Sequence, residues 1–283
     1  MKSTIILGFF FFLSCPLSAL ASCGLNGCPI EKHAVPAHTA RGILDTAITF
    51  GFTDATGTPA DYWISQFRAE GAPVHWLRFS FLLSVAEVSQ GGESHSGLSD
   101  IVAEALFIPL RWNRNMSNFI IGNQLEFPTG DEEKGLSSGH YEILPYMSVH
   151  LTLLKTMTYA QIGGRFSLSS HELGLSPHSH AFGIEDANHS HSHGSVLDPH
   201  DDQEFLFRTG VIYPFSRRIS GGLSFLGQTV LASENRGETF ASVLPEFNVE
   251  LLNRLWAGIR TELPITASKR FDWRAGMSLS YLF

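Results

Sequence analysis

Seven of the chain's thirteen histidines fall between residues 171 and 200: His171, His178, His180, His189, His191, His193 and His200. The same segment, taken to residue 204, holds seven acids and no lysine or arginine. His-Ser-His at 178–180 and His-Ser-His-Ser-His at 189–193 put imidazoles two positions apart. In extended chain such side chains share a face and can converge on one ion. Neutral imidazole suits Zn, Ni, Cu and Co, and carboxylates nearby add attraction for a cation. The candidate ligands are His178, His180, His189, His191, His193 and His200, with Asp201 and Asp202. The repeat lacks the ligand spacing of a structural zinc motif, so it specifies affinity rather than a rigid cage. A solvated loop whose histidines do nothing specific is the plainer alternative.

Other chemistry is sparse. Gly-x-Ser-x-Gly, His-Glu-x-x-His and phosphate-binding glycine loops are absent, so no catalytic residue or organic cofactor is assigned. Cys23 and Cys28 follow an export signal at 1–21, built from Lys2, an apolar Ile5–Leu13 core and Ala19-Leu20-Ala21. In an oxidising periplasm the two thiols favour a disulfide. Leu20-Ala21-Ser22-Cys23 also fits lipidation of Cys23, and a thiolate metal site is a third reading. Residues 22–40 read as a periplasmic extension.

What must hold the histidine segment is legible at the C-terminus. Odd positions from Phe271 to Phe283 are Phe, Trp, Ala, Met, Leu, Tyr and Phe, while the even ones are polar or small except Leu282. Period-two alternation makes a strand with one apolar face. Alternating segments recur near 42–52, 60–67, 74–87, 98–112, 117–127, 140–152, 155–169, 204–215, 218–230, 238–252, 255–263 and 270–283. Twelve is an even number, as single-chain bacterial barrels require. Tight turns are expected at Asn113-Arg114-Asn115, Leu153-Leu154, Ser216-Arg217 and Asn253-Arg254, and long links at 88–97, 128–139, 170–203, 231–237 and 264–269. With the C-terminus in the periplasm, every long link falls on the external side.

The fold class expected is therefore all-β: a transmembrane antiparallel up-and-down barrel over 41–283, with 171–203 as an external loop. A 43% hydrophobic and 16% charged composition suits it, because alternation dilutes the apolar residues. Trp76, Trp112 and Trp256 lie near predicted periplasmic turns, where an aromatic belt belongs. Fourteen charged residues are expected to face the lumen: Asp45, Arg78, Asp100, Glu104, Glu126, Glu142, Arg165, Arg208, Glu246, Glu250, Arg260, Glu262, Asp272 and Arg274. The net charge of −8 argues against nucleic acid as a partner.

Two segments carry a family likeness. Phe127-Pro128-Thr129-Gly130-Asp131 with Lys134-Gly135-Leu136-Ser137-Ser138-Gly139, and Gly97-Leu98-Ser99-Asp100 before a strand, resemble the outer-membrane transporter-like family linked to meta-pathway phenol degradation. The likeness covers most of 95–170 and, loosely, the strands to the C-terminus, and leaves out the cysteines and the histidine insert. The terminal Phe283 resembles the signal that barrel-assembly machinery reads. The resemblance implies transport, with lipid and the assembly machinery as partners. The leading expectation is handling of a divalent transition metal through the external loop. A passive channel for small aromatic or hydrophobic solutes is the alternative, and a membrane-embedded hydrolase comes third.

Overall fold

The computed structural model describes residues 42–54, 59–112, 117–168, 197, 200–201, 203–233 and 235–283. The export signal, the cysteine pair, His171, the ligand candidates His178, His180, His189, His191 and His193, and Asp202 lie outside the described residues.

The chain forms β1 (Gly42–Thr53), β2 (Ala60–Val74), β3 (Leu77–Gln90), β4 (Glu93–Leu98), β5 (Ile101–Trp112), β6 (Ser117–Phe127) and β7 (Tyr141–Leu153). It continues with β8 (Thr156–Leu168), β9 (Gln203–Pro214), β10 (Ile219–Ala232), β11 (Thr239–Leu252), β12 (Leu255–Pro264) and β13 (Trp273–Leu282). All pair antiparallel with their neighbours, and β1 pairs with both β2 and β13, which closes the ring. β4 and β5 share one place beside β3, so the barrel has twelve staves. Closure leaves no strand edge in the ring unpaired, the condition for a sheet to sit in lipid.

Alternation sets the two faces. Phe50, Phe67, Phe79, Phe81, Met147, Ile162, Phe205, Val211, Leu223, Phe247 and Met277 point outward and are exposed, while their strand neighbours point inward and are buried or half-buried. A band of this composition, wrapped round a closed ring, belongs in the outer membrane. All five tryptophans sit toward strand ends. Trp76, Trp112 and Trp256 lie at the end that carries Gly42 and Phe283, as expected, and Trp63 and Trp273 lie at the other. The apolar belt is thus bounded at both interfaces.

Three boundaries differ from the alternation reading. β2 runs on to Val74 rather than stopping near 67, leaving only His75 and Trp76 for the turn into β3. Gly71 and Ala72 weakened the pattern, and a register shift between Gly71 and Val74 marks the same spot. At the C-terminus the strand begins at Trp273, and Phe271 is buried at 9% exposure instead of facing out. The long link expected at 88–97 contains β4, a hairpin with the end of β3.

Candidate functional site

The lumen is the natural place for function, and side chains pack it. Ten of the fourteen charged positions expected inside are buried there: Asp45, Arg78, Asp100, Glu104, Glu142, Arg165, Arg208, Arg260, Glu262 and Arg274. Glu126, Glu246, Glu250 and Asp272 are half-buried. Four buried ions escaped the sequence reading: Arg68, Glu70, Glu204 and Arg270. Arg68 and Glu70 lay beyond the boundary set for β2, although Tyr62, Ile64 and Gln66 already establish the inward parity that they continue.

Mid-lumen, strand residues build an ionic hub. The Glu104 carboxylate accepts from Arg68 Nη2 at 2.6 Å, Ser80 Oγ at 2.9 Å, Gln124 Nε2 at 2.9 Å and the Tyr146 hydroxyl at 2.7 Å. Arg68 also lies 3.5 Å from Glu70, which pairs with Arg78. A buried carboxylate tolerates desolvation only when its lone pairs are met in this way. Against the hub stands an apolar region that a purely polar lumen would not contain. Leu106, Ile108, Ile120, Leu144, Tyr146, Met157, Tyr159, Leu206, Ile212, Leu226 and Leu244 form one buried cluster with Ala47. The expected inward charges therefore share the barrel interior with aliphatic and aromatic side chains.

At the external end, segments outside the strands turn into the mouth. Asp100 Oδ1 accepts the N–H of Gly130 at 3.1 Å, and Oδ2 accepts the N–H of Ser138 at 3.0 Å. Burial raises the Asp100 pKa, with the nearby Glu142 charge adding to the rise, while those bonds and one from Ser137 pull the other way. A Cβ on Gly130 would stand 2.6 Å from the Leu136 carbonyl oxygen, so the loop's tight fold requires glycine there. Leu136 is thereby carried inward, to pack with Tyr62, Ile64, Ala86, Val88 and Leu197. The two family-like segments are thus one interlocked structure at the mouth. Their exposed outer corner is different: Lys134 pairs with Asp131, which lowers the Asp131 pKa.

Two of the eight metal candidates are described. His200 is buried against Glu142, which also lies 3.5 Å from Arg165. Asp201 accepts from Arg270 Nη2 at 2.8 Å, Ser233 Oγ at 2.7 Å and Asn235 Nδ2 at 3.3 Å. Among the described residues no group of three or more His, Cys, Asp or Glu is arranged to hold a metal ion. Arg270 also contacts Glu204, donates to Gln228 at 3.1 Å and lies 4.2 Å over the Phe240 ring. Arg274 donates to the Tyr62 hydroxyl at 2.6 Å and to the Leu197 carbonyl at 3.0 Å. The returning end of the 169–202 connection is therefore fastened into the mouth.

No protein-family model matches this chain, and no curated protein matches it in sequence. Solved outer-membrane barrels share its fold. An outer membrane channel from Pseudomonas putida F1 superposes with a TM-score of 0.65 at 13% identity, over 86% of this chain and 96% of that one. The translocator domain of autotransporter NalP from Neisseria meningitidis reaches 0.51 at 11% identity, over 90% and 92%. The KdgM porin in complex with disordered oligogalacturonate reaches 0.50 at 8%, over 84% and 99%. At these identities the likeness is one of fold. The chain is an outer-membrane β-barrel. Gly42 and Phe283 share one end of the barrel, and the fastened loops share the other.

Proposed function

We propose that this barrel is a passive outer-membrane channel for small organic solutes of the aromatic and hydrophobic class. The carrying observation is the buried cluster from Ala47 to Leu244, which packs the barrel interior with aliphatic and aromatic side chains beside the Glu104 hub. A water-filled pore for ions has no use for such a filling, whereas an apolar solute that displaces these side chains exchanges one set of apolar contacts for another. The resemblance of residues 97–100 and 127–139 to the transporter-like family supports the same reading, as does the fold likeness to a Pseudomonas channel. No chemical step is assigned to the chain. The test is flux into proteoliposomes holding the purified barrel. Benzyl alcohol or toluate uptake should exceed that of glucose, and equal rates for all three would remove the reading.

A second reading, metal handling, is supported by the composition of 171–204 and by the fastening of its last residues in the mouth. Proton and metal compete for the same imidazole nitrogens, whose ordinary pKa is about 6.5. Zn, Ni or Cu uptake should therefore be strong near pH ~7.5 and largely lost near pH ~5.5. Calorimetry on a His189→Ala, His191→Ala, His193→Ala variant decides it, since unchanged stoichiometry and affinity would leave the loop a spacer.

We infer also that assembly machinery reads the C-terminal strand. Phe283 is exposed on the outward face, and its backbone N–H donates to the Gly42 carbonyl at 3.1 Å. Deleting Phe283 should lower the amount of folded barrel in the outer membrane while export continues. Normal folded levels would exclude that role.

A further inference from the structure

The exposed charges of the barrel are sorted by end. At the external end Asp54, Asp61, Glu93, Glu132, Glu133 and Glu238 are exposed. The exposed cations described there are Lys134, Arg236 and Lys269, and the two lysines pair with acids. The short-turn end, which faces the periplasm in barrels of this kind, is the reverse. Lys155, Arg217, Arg218 and Arg254 are exposed on its turns, and none of the four side chains has an ionic partner among the described residues. Two negative groups stand near them. One is the half-buried Glu250, whose Oε1 accepts from the Arg254 backbone N–H at 3.3 Å. The other is the carboxyl end of Phe283, at the seam with Gly42. Four cations against two anions leave this rim positive.

The sheet gathers the four. The β7–β8, β9–β10 and β11–β12 hairpins are consecutive in the ring, so their turns follow one another along one arc. Hairpins two staves apart stand about 10 Å from each other. The turns are also tied to the strands beyond them. The Arg218 carbonyl accepts from the Glu250 N–H at 2.7 Å, and the Arg254 carbonyl from the Leu282 N–H at 3.0 Å. The backbone fixes the arc, and the long side chains are left to reach outward.

What the arc meets is decided by its apolar residues. Leu154, Leu252 and Phe215 are the three most exposed large hydrophobics of the described chain. Each stands within two positions of a cation, respectively Lys155, Arg254 and Arg217. An apolar group with a cation on its water side matches the order of acyl chain and phosphate in a lipid. A soluble acidic protein would meet the cations and offer nothing to the apolar members.

We propose that the rim from β7 to β12 is a seat for acidic phospholipid headgroups of the periplasmic leaflet. The proposal is independent of the channel reading. Arg217 and Arg218 form its centre, with Lys155 and Arg254 on the turns to either side, and guanidinium forks suit phosphate oxygens. A zwitterionic lipid carries its own cation beside the phosphate, so the seat favours lipids of net negative charge.

The test places the full barrel in phosphatidylcholine vesicles with a rising share of brominated phosphatidylglycerol. Tryptophan quenching, to which Trp256 on β12 contributes at this end, is compared with that by brominated phosphatidylcholine. Wild type should favour the acidic lipid by about fivefold, and added salt should shrink the preference. Arg217→Gln with Arg218→Gln should bring it close to parity, whereas Arg217→Lys with Arg218→Lys should keep it. Lys155→Gln should lower it by about twofold, and gives the same comparison if the glutamine pair does not fold. Arg236→Gln, at the external end, should change nothing. Heat-modifiable migration establishes that each barrel is folded. Equal quenching by the two lipids in wild type overturns the seat. So does a preference that survives in the glutamine variants, or one that falls as far in Arg236→Gln.

Discussion

The Glu104 hub and the external mouth are both built from buried ions, yet they are held by different means. Every member of the hub stands on a strand, so the barrel's hydrogen-bond ladder fixes Arg68, Ser80, Glu104, Gln124 and Tyr146 before any side chain meets another. In the mouth, Asp201, His200, Leu197, Asp100 and Leu136 come from connections, and the ion pairs and backbone bonds themselves fold those connections inward. Breaking the hub strands a charge inside a rigid wall. Breaking the mouth lets a loop move to water, where the freed groups are solvated. Stability should therefore depend on the first region and passage on the second.

The largest effect expected is at Glu104. Glu104→Gln leaves Arg68 buried with its main counter-charge gone, at a cost of about 3 kcal/mol. Urea unfolding in lipid vesicles measures it, and a loss no greater than that of the mouth variants would erase the contrast. Next comes Asp201→Asn, which weakens the link to Arg270 while Ser233 and Asn235 can still bond. About 1 kcal/mol should be lost, and single-channel conductance should rise. A stability loss with unchanged conductance would mean that the mouth is scaffold too.

Asp100→Asn sharpens the comparison through pH. The Asp100 pKa is raised by burial above the ordinary 3.8, so the folded state holds this proton more tightly than the unfolded chain does. The ionised form is then a burden present above the folded pKa and relieved as pH falls through it. Wild type should gain stability relative to Asp100→Asn as pH is lowered from neutral toward that raised value. The urea midpoints of the pair, measured over that range, check the sign, and a widening in favour of the variant would reverse it. Smallest is Lys134→Gln at the exposed corner of the same loop. Its pair with Asp131 is open to solvent, so no change in unfolding midpoint or conductance is expected.

The sequence carried the barrel further than it carried the site. Alternation reports which face a residue takes, and that alone placed Phe205, Phe207, Val211 and Tyr213 outside and Glu104, Arg165 and Arg208 inside. Pairing across the lumen is another matter. Nothing in a period of two says that Arg68 of β2 meets Glu104 of β5, since that depends on the register of strands between them. The apolar lumen cluster was hidden for a related reason. Leu106, Leu206 and Leu244 sit on the inward parity among Glu104, Glu204, Arg208 and Ser242, so the polar members of that face masked them. The histidine run drew attention by composition, while the residues that secure its end, Arg270 and Glu142, lie far away in sequence. Gly97-Leu98-Ser99-Asp100 and the 127–139 segment were recognisable as motifs, but their meeting through Asp100 needed coordinates.

The seam between β1 and β13 has a consequence for how the molecule comes into being. Ile43 is paired with Leu282, and a Cβ at Gly42 would stand 2.3 Å from the Phe283 ring, so the chain's last aromatic lies across its first described glycine. The first strand of the chain thus waits for the very last one before its second side is satisfied. Contacts of such sequence separation are the slowest kind to form. During that wait both β1 and the growing front of the sheet are bare templates for any passing strand. Vectorial folding, stave by stave, can therefore lay down most of this barrel but cannot finish it. Until the end of the chain arrives, those two edges stay open to pairing.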